Sequence, residues 1–134
     1  MKTTNPFPSV LVSIPEDAIQ DFDDQVVSYW KDGDTSLLQM SAFVRQSGEQ
    51  VSAQERLAAR MEGNQKWALF NVSRSPKGCE VAAAVMVDTD GVSWIHVYLV
   101  WPWLAVHVSI SRGGSVDECD WAWDSVASIR PAVM

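Results

Sequence analysis

The chemistry that this sequence could support starts from its two histidines, His96 and His107, which lie in a stretch rich in β-branched and aromatic residues. Two histidines on neighbouring strands could hold a metal ion, but such a site needs further ligands and none follows at motif spacing. They could also act as acid and base, but no carboxylate on these strands would orient them. We therefore interpret them as part of a half-buried aromatic face, in which each His is hydrogen-bonded to a neighbour. A small-ligand or enzymatic site on the face of His96, Tyr98 and His107 is the less favoured alternative.

Other motifs of catalysis and cofactor binding are missing from the sequence. Residues 91–95 lack the second glycine of a nucleophile elbow. Residues 88–91 begin like a calcium loop but lack its spaced ligands, so we interpret them as a turn. No phosphate-binding or dinucleotide-binding glycine motif is present. We therefore predict a protein that is not an enzyme and that uses no cofactor and no metal ion.

The two histidines are positioned by a predicted antiparallel meander of four strands. The expected strands are residues 67–73, 80–87, 92–101 and 104–111, separated by turn signals. A two-residue loop at 90–91 would place Trp94 opposite Val87, and a bend at 102–103 would place His96 opposite Ser109. One face would then carry Trp94, His96, Tyr98, His107, Ser109 and Ser111. The other face would be aliphatic, would include Ala82 and Ala84, and is expected to be covered by helices.

Helices are predicted before and after this meander. A capping box at residues 13–16 starts a first helix that ends near Gly33, with apolar residues at helical spacing. A second helix starts at Asp34 or Thr35, a third starts at a capping box at residues 52–55, and a last one covers residues 117–129. The prediction is an α+β fold with N-terminal helices, a four-stranded antiparallel β-meander and a C-terminal helix, in a single domain over residues 1–134.

The stretch 92–111 has no acidic residue, lysine or arginine and imitates a membrane span in length. Its Pro102 and its β-branched residues favour a pair of buried strands instead. No secretory signal is recognisable at the N-terminus, so we expect a cytoplasmic protein. Cys79 and Cys119 are then interpreted as reduced thiols, and a disulfide between them is the open alternative.

Charge is distributed unevenly along the chain, and this is the strongest functional signal. Residues 1–34 hold seven acids and two bases, for a net charge of −5. Residues 116–134 hold four acids and one base, for −3, whereas residues 35–115 hold six acids and seven bases, for +1. A segregated acidic surface attracts basic partners and repels nucleic acid and anionic membranes. We therefore predict a basic protein partner, and neither nucleic acid nor a membrane as a partner.

Candidate binding residues are the acids of both ends and one of the seven tryptophans of the chain. Aromatic side chains supply binding energy at interfaces, while charges steer and select the partner. The predicted partner-binding residues are Asp17, Asp21, Asp24, Asp32, Asp34, Asp117, Glu118, Asp120, Trp123 and Asp124. The alternative is that these acids stabilise helix N-termini and keep a small protein soluble.

Small, acidic chains without catalytic motifs are similar in general character to immunity proteins of bacterial toxin systems, to phage anti-defence inhibitors and to secretion chaperones. The resemblance implies an inhibitor that binds a basic toxin, often a nuclease, and neutralises it by direct binding. A secretion-type chaperone or dimeric scaffold, and a phage-type anti-defence inhibitor, are the alternatives. The oligomeric state stays open: a stable homodimer would favour the chaperone, and a monomer the inhibitor.

Overall fold

Most of the chain is β-structure. The computed structural model describes residues 1–45, 48, 50–61, 66–87, 92–112 and 121–132. Its strands are β1 (Lys2–Phe7), β2 (Val10–Ile14), β3 (Ile19–Asp23), β4 (Val26–Trp30), β5 (Leu37–Val44), β6 (Trp67–Leu69), β7 (Glu80–Val87), β8 (Ser93–Val100), β9 (Leu104–Arg112) and β10 (Arg130–Pro131). Its helices are α1 (Ala53–Arg60) and α2 (Trp121–Ser128).

The strands form two sheets whose pairings are antiparallel. The small sheet has the order β1-β2-β10, and the large sheet has the order β3-β4-β5-β9-β8-β7-β6. The core lies between them, because Val12 of the small sheet, Val97 of the large sheet and Trp123 of α2 belong to one buried cluster. We call this side of the large sheet its core face and the opposite side its outer face. Helix α1 packs on part of the outer face.

The first predicted N-terminal helix is wrong, because residues 19–30 form the hairpin β3–β4. Its loop consists of two residues, and Asp24 adopts a positive φ of 58° there. Asp tolerates this conformation in tight turns. Val27 and Tyr29 are buried while their neighbours are less so, which is the alternation of a strand. The β-branched and aromatic residues 26–30 therefore outweigh the helical spacing of the apolar positions.

The second predicted N-terminal helix is also wrong. Leu37–Val44 forms β5, which pairs with β4 on one side and β9 on the other. Burial alternates along its first half, with Leu38 and Met40 inside. The capping box at 13–16 fails for a similar reason, because Ser13 lies in β2 and pairs with Thr3. The α+β prediction with N-terminal helices is thus replaced by a two-sheet, mostly β architecture with two short helices.

Strands β6 to β9 lie in the four predicted strand regions, so the uncharged stretch 92–111 does form strands. The four-stranded meander itself is wrong, because β5, β4 and β3 extend the sheet to seven strands. The capping box at 52–55 is confirmed too, since the Ser52 hydroxyl accepts a hydrogen bond from the Glu55 backbone N–H at 3.1 Å. Helix α2 covers the described part of the predicted last helix, and residues 117–120 lie outside the described residues. No helix within the described ranges is long and apolar enough to cross a membrane.

The second predicted hairpin register is confirmed, with His96 opposite Ser109 on β8 and β9. The first is wrong by one residue, because Trp94 lies opposite Met86. Val87 pairs with Ser93, so five residues separate the two partners. A two-residue turn would separate every pair of partners by an even number of residues, which this register excludes. The expected loop residues 90–91 lie outside the described part of the chain.

This register shift decides which face α1 covers. It places Ala82 and Ala84 on the outer face, opposite Tyr98 and His96 respectively. There they pack with Leu57 of α1, and their small side chains let the helix approach the sheet. The aliphatic core face is covered by the small sheet and α2. The expectation that only helices cover it is therefore wrong.

Candidate functional site

The first candidate region is the edge of the large sheet formed by β3. All five residues of this strand are exposed, and β3 pairs with β4 on one side and with no described strand on the other. Asp21 and Asp23 alternate with Phe22, so the carboxylates lie on the outer face and Phe22 on the core face. Phe22 is still 51% exposed and contacts the ring of Phe7, with ring centroids 5.6 Å apart.

Further predicted acids surround this strand. Asp24 lies in the β3–β4 loop, and Asp32 lies in the turn that follows β4. Asp17 is also exposed and forms an ion pair with Lys31, with Nζ and Oδ2 3.7 Å apart. These acids form a surface that we call the acidic edge, which consists of Asp17, Asp21, Asp23, Asp24, Asp32 and Asp34.

Asp34 connects the acidic edge to α2. Its carboxylate accepts a hydrogen bond from the Ser36 backbone N–H at 3.0 Å and another from Trp121 Nε1 at 3.1 Å. These bonds, that of Ser36 first, hold the pKa of Asp34 below its usual range. Trp121 is the first residue of α2, so the N-terminal acids meet the start of the C-terminal helix. The predicted residues Asp117, Glu118 and Asp120 lie outside the described residues.

The other two predicted residues of α2 have different positions. Trp123 is 1% exposed and stacks on Phe70, with ring centroids 5.5 Å apart and planes at 14°. It is therefore a core residue and not the surface anchor that the sequence suggested. Asp124 is exposed and forms an ion pair with Arg74. The aromatic part of the predicted binding surface thus belongs to the core.

The second candidate region is centred on the histidine pair of the outer face. His96 Nδ1 and His107 Nε2 are 3.0 Å apart, the ring centroids are 5.2 Å apart and the planes differ by 9°. For a given N···N distance, the two ring centroids are farthest apart when both nitrogens lie on the line that joins them. The observed centroid distance of 5.2 Å is close to this limit. The two rings therefore lie edge to edge in nearly one plane, and their facing nitrogens point at each other. This is the geometry of an N–H···N hydrogen bond in which one proton lies between the two nitrogens.

The same geometry argues against a metal ion between the two histidines. Ligand lone pairs must converge on a metal about 2.0–2.1 Å from each nitrogen, and here they face each other in line. Among the described residues, no group of three or more His, Cys, Asp or Glu side chains could hold a metal ion. The Ser109 hydroxyl completes the cluster, 3.2 Å from His96 Nδ1 and 3.4 Å from His107 Nε2.

Both histidines are neutral at ordinary pH. Burial, and then the nearby positive charge of Arg60, lower the pKa of His96 to about 4. The same two causes, with a further contribution from His96, lower the pKa of His107 to about 3. A neutral imidazole both donates and accepts hydrogen bonds, so the pair can form its internal bond at physiological pH.

Tyr98 joins this pair to α1. Its ring lies 4.7 Å from that of His107 with planes at 16°, as expected for residues directly opposite on β8 and β9. Arg60, the last residue of α1, donates from Nε to the Tyr98 hydroxyl at 2.7 Å. The end of the helix is thereby held over the histidine pair.

A cleft of about 540 Å³ opens between Arg60 and the sheet. We call it the histidine cleft. Its lining includes Gln39, Arg60, Trp67, Trp94, His96 and Ser109.

Sequence reasoning missed Gln39, Arg60 and Trp67 as site residues. The sequence places Arg60 on the solvated face of a predicted helix, the one that starts at residues 52–55. It places Gln39 in another predicted helix, the one that starts at Asp34 or Thr35. The pairing of β5 with β9 places Gln39 directly opposite Ser109. No local spacing in the sequence indicates a pairing between strands so far apart.

Cys79 adds no reactive group to either region. It is a free thiol whose Sγ lies 3.5 Å from the Pro76 carbonyl oxygen. Burial raises the pKa of this thiol to about 11, so the reactive thiolate is not formed at neutral pH. Cys119 lies outside the described residues.

Comparisons with known proteins extend to the fold only. No protein-family model matches the sequence, and no curated protein matches it. A crystal structure of a protein from Bacteroides thetaiotaomicron aligns with 92% of this chain, at a TM-score of 0.59 and 13% sequence identity. The alignment covers 45% of that protein, so this chain spans less than half of its length. At this identity the likeness shows a shared fold.

Proposed function

We propose that the protein is an inhibitor of the immunity type, which binds a basic protein such as a toxin through the acidic edge. The observation that carries the proposal is that β3 has exposed carboxylates and, on one side, no strand partner among the described residues. A nuclease is a suitable toxin class, because a surface that binds nucleic acid is basic.

The edge of β3 offers three kinds of contact to one partner. The backbone N–H and C=O groups on the side of β3 that faces away from β4 can pair with an added strand, which is a common mode of peptide recognition. Phe22 and Ile19 are exposed and supply apolar area. Asp21 and Asp23 supply charge along the same strand. Together these contacts suit an extended segment with basic side chains.

The carboxylates also oppose pairing between two copies of this chain. Pairing of β3 with its own copy would bring Asp21 and Asp23 close to the same residues of the second copy, and like charges facing across strands destabilise a sheet. A basic partner removes this repulsion. The acidic edge therefore favours a complex with another protein over the homodimer expected of a scaffold.

Among the described residues, Asp17 is the one acid of the acidic edge that forms an ion pair, with Lys31. Most of the negative charge of the acidic edge is therefore not paired within the described part of the chain. The field of the remaining acids would increase the rate of encounter with a basic protein. We propose the cytoplasm as the place of this activity.

The test uses a pair of charge reversals. Asp21→Lys alters the acidic edge, and Glu55→Lys makes the same change of net charge on the exposed side of α1. Each protein is used as bait in a lysate of the source organism, the captured protein is identified, and its activity is assayed with added wild-type protein or variant. We expect a basic partner whose activity falls on binding, and we expect Asp21→Lys alone to bind at least about tenfold more weakly.

Three outcomes would overturn the proposal. The first is a partner without basic character, and the second is equal binding by Asp21→Lys and Glu55→Lys. The third is a stable homodimer in sedimentation that Asp21→Lys disrupts, which would support the dimeric scaffold instead. Inhibition of a phage-defence protein rather than a toxin would keep the binding mode and replace the immunity function.

A further inference from the structure

The histidine cleft is lined by polar side chains, Arg60, Gln39, His96 and Ser109, and by the apolar surfaces of Trp67, Trp94 and Met86. The Arg60 guanidinium group is the strongest hydrogen-bond donor among them. The described lining residues include one formal positive charge, that of Arg60, and no carboxylate. A ligand that fits this set is rich in acceptors and carries a negative charge.

Trp67 contributes its ring, and not its N–H group, to the cleft. Its Nε1 is buried and has no hydrogen-bond partner among the described residues, so a ligand in the cleft does not reach it. The ring is partly exposed and packs beside His96, with ring centroids 5.4 Å apart. It therefore gives the cleft an aromatic wall.

Arg60 is held beside the cleft by its neighbour Tyr98. Its Nε donates to the Tyr98 hydroxyl at 2.7 Å, and its guanidinium carbon lies 6.0 Å from the centre of the Tyr98 ring. This contact restrains the guanidinium group. A restrained guanidinium matches the two oxygens of a carboxylate better than a single point charge does.

The remaining walls are apolar and flat. Trp67, Trp94 and Met86 line the cleft and are partly buried, so their surfaces are available to a planar group. The volume of about 540 Å³ is in the range of small-molecule sites, roughly 300–1,000 Å³. One cation and flat apolar walls fit one negative charge on a flat body. A multiply charged phosphate would find too few cations here.

We propose that the histidine cleft binds a small organic monocarboxylate, whose carboxylate pairs with Arg60 and whose flat apolar body lies against Trp67 and Trp94. The neutral His96 lines the cleft without adding a competing charge. The site is separate from the acidic edge and needs no protein partner.

Benzoate is the probe, followed by NMR of the indole N–H signals of Trp67 and Trp94 and of the His96 ring. Benzamide has the same flat body without the charge, and acetate has the charge without the body. We expect benzoate to shift all three signals and to bind at least about tenfold more tightly than either control.

Two variants on the same helix localise the effect. Arg60→Gln removes the pairing cation and is expected to weaken benzoate binding about tenfold. Arg56→Gln removes a cation one turn earlier, which lies over Phe43 instead, and is expected to change the affinity less than about twofold. Circular dichroism of each variant confirms that it is folded.

The proposal fails if benzoate leaves the three signals unchanged, if benzamide or acetate binds as tightly, or if the two arginine variants bind equally well. The wild-type comparison of the three probes keeps the test decisive should Arg60→Gln be poorly folded, because equal binding of benzoate and benzamide to the wild-type protein would also overturn it. None of these outcomes bears on the acidic edge, since Asp21→Lys is assayed separately.

Discussion

The acidic edge and the histidine cleft lie on one sheet, but their titratable groups lie in opposite environments, one exposed to water and the other buried. On β3 the carboxylates are exposed and stay hydrated, so their charge acts at a distance. In the cleft, burial and Arg60 keep His96 and His107 neutral, so recognition there depends on contact. Under the two proposals, charge that acts at a distance would attract the basic partner to the edge of the sheet, and direct contact would hold the small ligand on its face.

A cross-strand row of polar residues runs between the two regions. Asp21 lies opposite Ser28, Ser28 opposite Gln39, Gln39 opposite Ser109, and Ser109 opposite His96. Gln39 Nε2 donates to the Ser28 hydroxyl at 3.3 Å. The outer face is thus polar from the edge strand to the cleft, and the part that α1 covers is apolar.

The largest expected effect separates the two predicted binding residues of α2. Trp123 and Asp124 are adjacent in α2, but the first is buried and the second is exposed. We expect Trp123→Ala to lower the free energy of unfolding by about 3–5 kcal/mol, because it removes a large buried ring. Asp124→Ala should lower it by less than about 1 kcal/mol. Urea unfolding measures both, and similar values would contradict the core position of Trp123.

The next prediction concerns the desolvation of the histidine pair. The unfolded chain protonates His96 near pH 6.5, whereas the folded protein does so near pH 4. The unfolded state therefore binds more protons between these values, so the free energy of unfolding falls as the pH drops below 6.5. The loss attributable to His96 reaches roughly 3 kcal/mol at pH 4. His107, which protonates still lower, acts in the same direction.

Urea unfolding over this pH range, in wild-type protein and in His96→Gln, measures the effect. The variant should lose a large part of the pH dependence, because glutamine does not titrate. Ser28→Ala alters a residue of the same face that does not titrate, and it should keep the full dependence. Equal curves for wild type and His96→Gln would show that the pair is not desolvated as described.

The smallest effect tests the link between the acidic edge and α2. Trp121→Phe keeps the aromatic ring but removes the N–H that donates to Asp34. We expect the pKa of Asp34 to rise toward its ordinary value, without reaching it, because the bond from Ser36 remains. NMR titration of the carboxylate measures the change. Trp103→Phe serves as the control, and a change of equal size in that variant would contradict the link.

The sequence predicts the second half of this protein better than the first. In β7, β8 and β9 the strand pattern is continuous, and turn signals separate the strands, so local rules suffice. In residues 19–30, short strands with exposed acids have the same apolar spacing as a helix, and only the pairing with β5 resolves them. The prediction of a capping box at Ser52 is confirmed, because its hydrogen bond joins residues only three positions apart, Ser52 and Glu55.

The two candidate sites differ in the same way. The count of charges along the sequence locates the acids of the acidic edge, because charged side chains are normally exposed wherever the chain places them. The same reasoning wrongly adds Trp123, which is buried. The histidine pair follows from the register of one hairpin, whereas Gln39, Arg60 and Trp67 come from three other elements. Their meeting depends on pairings between distant strands, which local spacing does not indicate.

Hydrogen exchange of the protein with and without its bound basic partner tests the central claim most directly. If the partner docks on the acidic edge, the amides of residues 19–34 should gain protection, whereas those of α1 and β8 should exchange at unchanged rates. Asp21→Lys should remove this protection, and Glu55→Lys should preserve it. Protection confined to α1 and β8, with residues 19–34 unaffected, would contradict the account.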